Sequence, residues 1–180
     1  NLGNAELENL ADIFARVGNN AKTAGLSFEG TLAFIERMSL VEKQPERLAT
    51  LTDSTLRLFT NQKYMTKAAK VTGVNFYDAK GERRAMFDVL ADIRDRYQKF
   101  KTSAEKDKAF SAAFGDTDLD TQRGLRIFLD ADTIDEARTF SGEIKESAGL
   151  IAQKLPSAVA NAVDQTARLK AELGKAADAF

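Results

Sequence analysis

An acidic run late in the chain is the segment whose residue types could bind a metal. Asp116, Asp118 and Asp120 stand at alternate positions, as in the opening of a calcium-binding loop. The pattern then fails, because Thr121 stands where the loop needs its turn glycine and Ile127 where it needs the bidentate glutamate. We therefore expect Asp118 or Asp120 to cap the helix that follows, and we predict no metal site.

A second segment, Ser103–Lys106, reads S-x-x-K, the nucleophile pattern of penicillin-interacting serine enzymes. The companion motifs of those enzymes, K-T-G and S-D-N, do not occur in the sequence. A serine in front of a helix is far more often a cap, so we expect Ser103 to cap a short helix over residues 104–114. Gly115 is expected to stop that helix.

The composition removes most other catalytic chemistry. The 180 residues include no Cys, His or Trp. Thiol nucleophiles, Ser-His-Asp triads and nearly all zinc sites are therefore excluded, and no phosphate-cradling glycine loop is present. Asp and Glu are plentiful, but nothing singles out two of them as a glycosidase pair. We predict that the chain is not an enzyme and needs no cofactor.

The charge pattern argues against nucleic acid and membrane partners. Charges of both signs are interspersed, and the net charge is -1. Lys63, Lys67 and Lys70 share one face of a predicted helix, which we expect to be solvated. No apolar run is long enough to span a bilayer. The sequence therefore predicts neither nucleic acid binding nor membrane contact by these residues.

Apolar residues recur at steps of three and four through most of the chain, which predicts an all-α, multi-helix bundle. Gly25 stands where a left-handed cap would close the first helix. Ser27 is expected to cap the second helix, and Pro45 suits the first turn of the third. The strongest helical face runs over residues 86–100 and includes Phe87 and Leu90.

The pattern changes near the C-terminus. Pro156 predicts a kink or break, because proline lacks an N–H and restricts the residue before it. Beyond it, apolar or small residues alternate at steps of four and three, which is a weak heptad seam: Leu155, Val159, Ala162, Thr166, Leu169, Leu173, Ala176 and Phe180. Two interpretations are open, a terminal helix packed on the domain or the start of a long coil. We expect a domain over residues 1–155, and a helix over 156–180 that leads into the rest of a longer protein and pairs with a copy of itself or with a neighbouring chain.

Three blocks of the sequence carry a family resemblance. In order, they are "ELENLADIFARVGNNAKTAGLSFEGTLAFIERMS", "VTGVNFYDAKGERRAMFDVLADI" and "SAEKDKAFSAAFGD". Together, across roughly residues 6–149, they resemble the core domain of phage tail tape measure proteins. The chain departs from that family at Gly30, which replaces a usual glutamate, and at "SLVEKQPERL", which replaces a glycine-containing turn.

The resemblance also explains a break in the helical pattern at "VNFYDAKGE". Val74, Phe76 and Tyr77 are expected to lie extended over the helices. Asp78 and Gly81 suit a tight turn, with Asp78 bonding to its own backbone and Gly81 accepting a positive φ. We expect Phe76, Phe87 and Leu90 to face one another across the turn and to form the core.

The resemblance implies a structural role. Tape measure proteins set the length of a phage tail while tube subunits polymerise around them. The implied partners are the tail tube protein, tail assembly chaperones, or tail tip and baseplate proteins. The implied location is the interior of the virion tail, with the host cytoplasm during assembly. A stand-alone helical interaction module, such as a bacterial adaptor or secreted effector, is the alternative from another class.

Overall fold

Helices joined by turns and loops make up the described part of the chain. The computed structural model describes residues 7–130 and 132–147, with side chains from residue 12 onward. The eight helices of this part are α1 (Leu7–Thr23), α2 (Phe28–Ser39), α3 (Pro45–Thr60), α4 (Gln62–Thr72), α5 (Met86–Tyr97), α6 (Ser103–Phe114), α7 (Leu119–Phe128) and α8 (residues 133–147). The predicted all-α class is confirmed.

The chain divides into two compact units, residues 1–141 and 142–180. Of the second unit, only residues 142–147 are described, and they are helical. The predicted domain boundary after residue 155, the break at Pro156 and the heptad seam lie outside the described residues and stay predictions. None of the described helices combines the length and the apolar character that crossing a bilayer requires.

Local sequence signals set several helix ends. Gly25 follows α1 with a φ of 90°, in the left-handed region. Ser27 is the N-cap of α2, and its Oγ accepts a hydrogen bond of 3.0 Å from the Gly30 amide. Pro45 is the first residue of α3, where its missing N–H costs nothing. These three features agree with the expectations from sequence.

The start of α6 differs from the prediction. Thr102 is the N-cap, and Ser103 is already the first helical residue. The Thr102 hydroxyl accepts from the Glu105 amide, and the Glu105 carboxylate accepts from the Thr102 amide, which is a reciprocal capping box. The helix ends before Gly115, as expected, but Gly115 has a φ of −62° and so needs no special conformational freedom there.

α3 lies at the centre of the first unit and packs against α1, α2, α4 and α7. Its apolar side chains Leu48, Leu51 and Phe59 are buried. The hydroxyls of Thr52 and Thr55 are buried too, and each donates to the carbonyl four residues earlier at 2.7 Å. Burial of these hydroxyls costs little because each has a partner within its own helix.

The crossing of α3 and α7 is unusually close. Gly124 on α7 faces Thr55 on α3, and a Cβ added to Gly124 would lie 1.7 Å from the Thr55 Oγ1. The Thr121 hydroxyl donates to the Ser54 carbonyl at 2.6 Å, which joins the two helices by a buried hydrogen bond. Small and hydroxyl-bearing residues therefore allow the helix backbones to approach.

The aromatic core does not have the predicted partners. Phe87 is only partly buried, and it lies 6.5 Å from Phe34 and 6.4 Å from Phe128 between ring centroids. Phe76 is buried, but it packs on Phe59 at 5.3 Å. Phe76 and Phe87 thus belong to different aromatic groups, because Phe76 packs on a ring of α3 whereas Phe87 lies beside rings of α2 and α7. Leu90 is fully buried, as expected.

Candidate functional site

The loop that interrupts the helices, residues 73–85, forms a narrow turn. Tyr77 and Arg83 pair as an isolated antiparallel bridge, and Gly81 has a φ of 81°. The Asp78 Oδ1 accepts from the amides of Lys80 and Glu82 at 2.8 and 2.9 Å, so the aspartate closes the turn onto its own backbone. These are the conformations that the sequence predicts for Asp78 and Gly81.

Two arginines tie this loop to the helices around it. The Arg83 guanidinium donates to the Phe59 carbonyl at 2.6 Å, at the end of α3, and lies over the Tyr77 ring. The Arg84 guanidinium donates to the Asn75 carbonyl and to the Asp92 carboxylate. The polar groups of the loop are thus engaged in holding its shape, which suits a structural element rather than a catalytic one.

The acidic run at the start of α7 acts as a cap. Asp118 is the N-cap, and its two carboxylate oxygens accept from the amide and the hydroxyl of Thr121 at 2.9 and 2.8 Å. Asp116 forms an ion pair of 2.6 Å with Lys67, and this pairing lowers the pKa of Asp116. Within the described part of the chain, no cluster of three or more acidic side chains could hold a metal ion.

A single apolar side chain stands out from this acidic run. Leu119, the first residue of α7, is 82% exposed, the largest exposure among the exposed large hydrophobic residues. Asp118 precedes it and Asp120 follows it. Among the described residues, Asp120 has no hydrogen bond or ion pair to its carboxylate. We call Leu119 and Asp120 together the α7 knob.

An apolar concavity of the first unit lies where α4, α5 and α6 meet, and we call it the α4–α6 groove. It has a volume of about 450 Å³. Aliphatic and aromatic side chains from all three helices and the α5–α6 connection line it, chiefly Val71, Ile93, Phe100, Phe110 and Phe114. Val71 and Phe100 remain 44% and 39% exposed, so apolar area faces solvent there.

Charged residues of the groove lining are predominantly cationic. Arg96 donates to the Thr72 carbonyl at the end of α4, and Lys108 projects from α6. Neither forms an ion pair with any described residue. Glu105 is the acidic residue of the lining, and its carboxylate accepts a hydrogen bond from the Thr102 amide in the capping box. This hydrogen bond lowers the pKa of Glu105. The uncompensated charge beside the groove is therefore positive.

A second cavity, of about 540 Å³, lies on the α2 side and contains three cationic side chains. Arg37 pairs with Glu136 at 2.5 Å, and Lys106 donates to the Gln98 amide oxygen. Arg126 lies 4.0 Å over the Phe110 ring and pairs with Asp107. Since each cation already has a partner, this cavity is a weaker candidate than the α4–α6 groove.

Only part of these surfaces follows from the sequence. Phe100 was expected to continue the buried face of α5, but it follows the helix and is partly exposed because α5 ends at Tyr97. The periodicity of the sequence gives Val71 and Leu119 no special role. The signals for exposure at helix ends are an apolar residue two positions before the glycine that ends α4 and another directly after an aspartate cap.

Comparison with known proteins gives one finding. A family described as phage-related minor tail protein has a sequence model that matches residues 1–115. The matched stretch includes the interrupting loop and the whole α4–α6 groove, and it ends before the α7 knob. No curated protein and no solved structure matches the chain significantly.

Proposed function

The chain belongs to the phage-related minor tail protein family, and we propose that it is the folded part of a tape measure protein, the component that sets tail length. The family match carries this proposal, since it gives the chain a structural role in a phage tail. The order of the three sequence blocks favours the tape measure group within that role. A stand-alone adaptor or effector accounts for neither observation.

The fold supports a distinction between this part of the protein and the ruler itself. A ruler must extend along the tube, and a straight helix extends about 1.5 Å per residue. The 17 residues of α1 therefore cover only about 26 Å before the chain turns at Gly25. In this proposal, residues 1–155 form a folded node, and the heptad-patterned residues 156–180 lead from the node into the ruler.

The proposed role is non-catalytic. The polar side chains that stand out in the sequence have structural roles, which supports this proposal: Asp118 and Glu105 cap helices, and Arg83 holds the interrupting loop. In the tail, the node would contact the tube protein, the assembly chaperones, or tip and baseplate proteins. Its proposed place is the interior of the virion tail, after assembly in the host cytoplasm.

Tail length in the phage that encodes the chain tests the tape measure proposal. Four heptads of helix inserted between residues 155 and 156 should lengthen the tail by about 42 Å, at about 1.5 Å per residue. Electron micrographs of purified virions provide the measurement. The matched control places the same insertion in the turn between Asp78 and Gly81, within the node, where the tails that assemble should keep their normal length.

The tail length after insertion at residue 155 distinguishes the tape measure role from the broader role of the family. Normal tails of unchanged length after insertion at residue 155 would contradict the tape measure proposal. The chain would then be a tail component that does not set length.

A further inference from the structure

The α4–α6 groove and the α7 knob are two exposed surfaces with complementary chemistry. The groove is apolar, and the cations Arg96 and Lys108 line it without ionic partners among the described residues. The knob presents one exposed leucine beside the unpaired carboxylate of Asp120. An apolar side chain flanked by a carboxylate is the chemistry that such a groove would accept.

We infer that the α4–α6 groove of one chain binds the α7 knob of a second copy. Leu119 enters the groove against Val71 and Phe100, and Asp120 meets Lys108 and Arg96. The contact removes three exposed apolar side chains from water at once and neutralises charge on both surfaces. This inference goes beyond the tape measure proposal and does not depend on it.

The knob is held in a fixed position before any partner arrives. Asp118 binds Thr121 through both carboxylate oxygens, and the Thr121 hydroxyl also donates to the Ser54 carbonyl on α3. The first turn of α7 is thereby attached to the central helix of the unit. A side chain presented from a rigid turn loses little conformational freedom on binding, which favours association.

The side chains that form the α4–α6 groove are also held in place by contacts within the chain. Gly73 ends α4 with a φ of 69°, and the Arg96 side chain crosses to the Thr72 carbonyl next to it. The Phe110 and Phe114 rings pack on each other at 5.1 Å and form the floor. Because one leucine fills only part of such a groove, the contact is weak on its own. In a two-fold symmetric dimer, the knob of each chain would fill the groove of the other, so the dimer would contain the contact twice.

Sedimentation velocity of the full 180-residue chain over a concentration series tests the contact. The wild-type chain should self-associate, and Leu119→Ser should weaken the association by at least about tenfold, which corresponds to about 1.4 kcal/mol. Phe100→Ser should weaken it similarly from the groove side. The matched control is Phe28→Ser, which changes a residue that is 60% exposed and lies on neither surface, and it should leave the association unchanged.

A charge exchange makes the test specific. Lys108→Glu and Asp120→Lys should each weaken association, because each places like charges across the contact. Both changes in one chain should restore association to within about threefold of the wild-type value, equivalent to well under 1.4 kcal/mol. Circular dichroism checks that each variant keeps its helical content, and no loss is expected at Lys108 and Leu119, which are exposed and contribute little to folding.

Four outcomes would overturn the inference. In the first, the wild-type chain stays monomeric at all concentrations, and in the second, Leu119→Ser and Phe28→Ser weaken association equally. In the third, the double charge variant associates no better than either single charge variant. In the fourth, only the combined change of Leu169→Lys and Leu173→Lys abolishes association. A monomer would assign the groove to another protein, and the last outcome would assign self-association to the C-terminal seam.

Discussion

One side of the first unit, where α3 crosses α7, is closed by small and hydroxyl-bearing residues, whereas the other side, where α4 meets α5 and α6, is lined by aromatic residues and stays open. At the closed side, Gly124 lies directly against Thr55. At the open side, Phe100 and Val71 remain exposed although they are far more apolar. Helix approach, rather than hydrophobicity alone, decides which surface is buried.

The difference follows from the size of the side chains between the helix axes. Small residues let backbones approach until van der Waals contact is continuous, and the hydroxyls find carbonyl partners in the helices themselves. Large rings hold helices apart and fill the space only where they interdigitate. The closed side therefore supplies stability, and the open side leaves a surface available to a partner.

The largest expected effect is the loss of a buried ring where α2 meets α7, beside the closed side. Phe34 is fully buried and stacks on Phe128 with 4.4 Å between ring centroids. Phe34→Ala should lower the free energy of unfolding by about 3–5 kcal/mol, as measured by urea denaturation. Phe100→Ala is the matched control on the open side and should change the free energy of unfolding by no more than about 0.5 kcal/mol. Equal costs for the two variants would remove the distinction between the sides.

The closeness of the α3–α7 crossing is tested at Gly124. Gly124→Ala adds a Cβ where the Thr55 side chain already lies, so we expect a loss of about 1–3 kcal/mol from overpacking. Gly142→Ala is the control, because a Cβ there meets no described atom within 4 Å and alanine favours helix by about 1 kcal/mol. The two glycine substitutions should therefore have opposite signs in thermal or urea unfolding.

A compensating change shows whether the steric conflict is the cause. Thr55→Gly removes the obstructing side chain, so the pair Gly124→Ala and Thr55→Gly should be more stable than the sum of the single changes predicts. A coupling of about 1 kcal/mol or more is expected for residues in direct contact. Strictly additive effects would show that the backbones can move apart at little cost.

A smaller effect is expected at the turn that precedes the open side. Gly81 has a φ of 81°, and an added Cβ would meet no described atom within 4 Å. Gly81→Val should cost about 1–2 kcal/mol from backbone strain alone. Gly81→Asn should cost less, because asparagine tolerates the left-handed region. A valine variant as stable as the wild type would show that the turn relaxes to another conformation.

The smallest effect, at the closed side, depends on pH. Glu42 is 7% exposed, and its carboxylate accepts from the Gln44 amide at 3.1 Å and from Arg123 at 3.3 Å. The hydrogen bond from the Gln44 backbone, together with the one from Arg123, lowers the pKa of Glu42. Burial acts in the opposite direction but does not cancel this effect. The ionised form therefore stabilises the fold above the unfolded pKa, and this stabilisation is lost as pH falls through the folded pKa.

Substitution of Glu42 isolates that contribution. Glu42→Gln should lower the free energy of unfolding by about 1 kcal/mol at neutral pH, where a charged acceptor is replaced by a neutral one. The difference between wild type and variant should shrink as pH falls, because wild-type Glu42 then becomes neutral as well. Urea midpoints across the acid range measure it. A difference that does not change with pH would assign the effect to packing.

The sequence predicted the features that depend on near neighbours. Gly25, Ser27, Asp78 and Gly81 adopt the expected conformations because each is determined within a few residues. The Asp118 cap was one of two alternatives for the same reason. The capping box at Thr102 was missed, although Glu105 three residues later is its usual signal.

Features that depend on distant residues were not predictable in the same way. The partners of Phe76 and Phe87 are set by how the loop turns over α3, and a single sequence does not specify that path. The sequence carries no local signal for the role of Gly124, and only the position of Thr55, 69 residues earlier in the sequence, reveals it. The α4–α6 groove likewise needs three helices to be placed before it exists.

The position of α3 also governs the time course of folding. α3 is synthesised before its partner α7, which follows only after the whole of α4 to α6 has emerged. The hydrogen bond from Thr121 to Ser54 closes a loop of 67 residues, and such long closures slow the search for the native state. Until α7 docks, the face of α3 beside Thr55 has no cover, so a nascent chain paused in this interval would be open to capture by a chaperone.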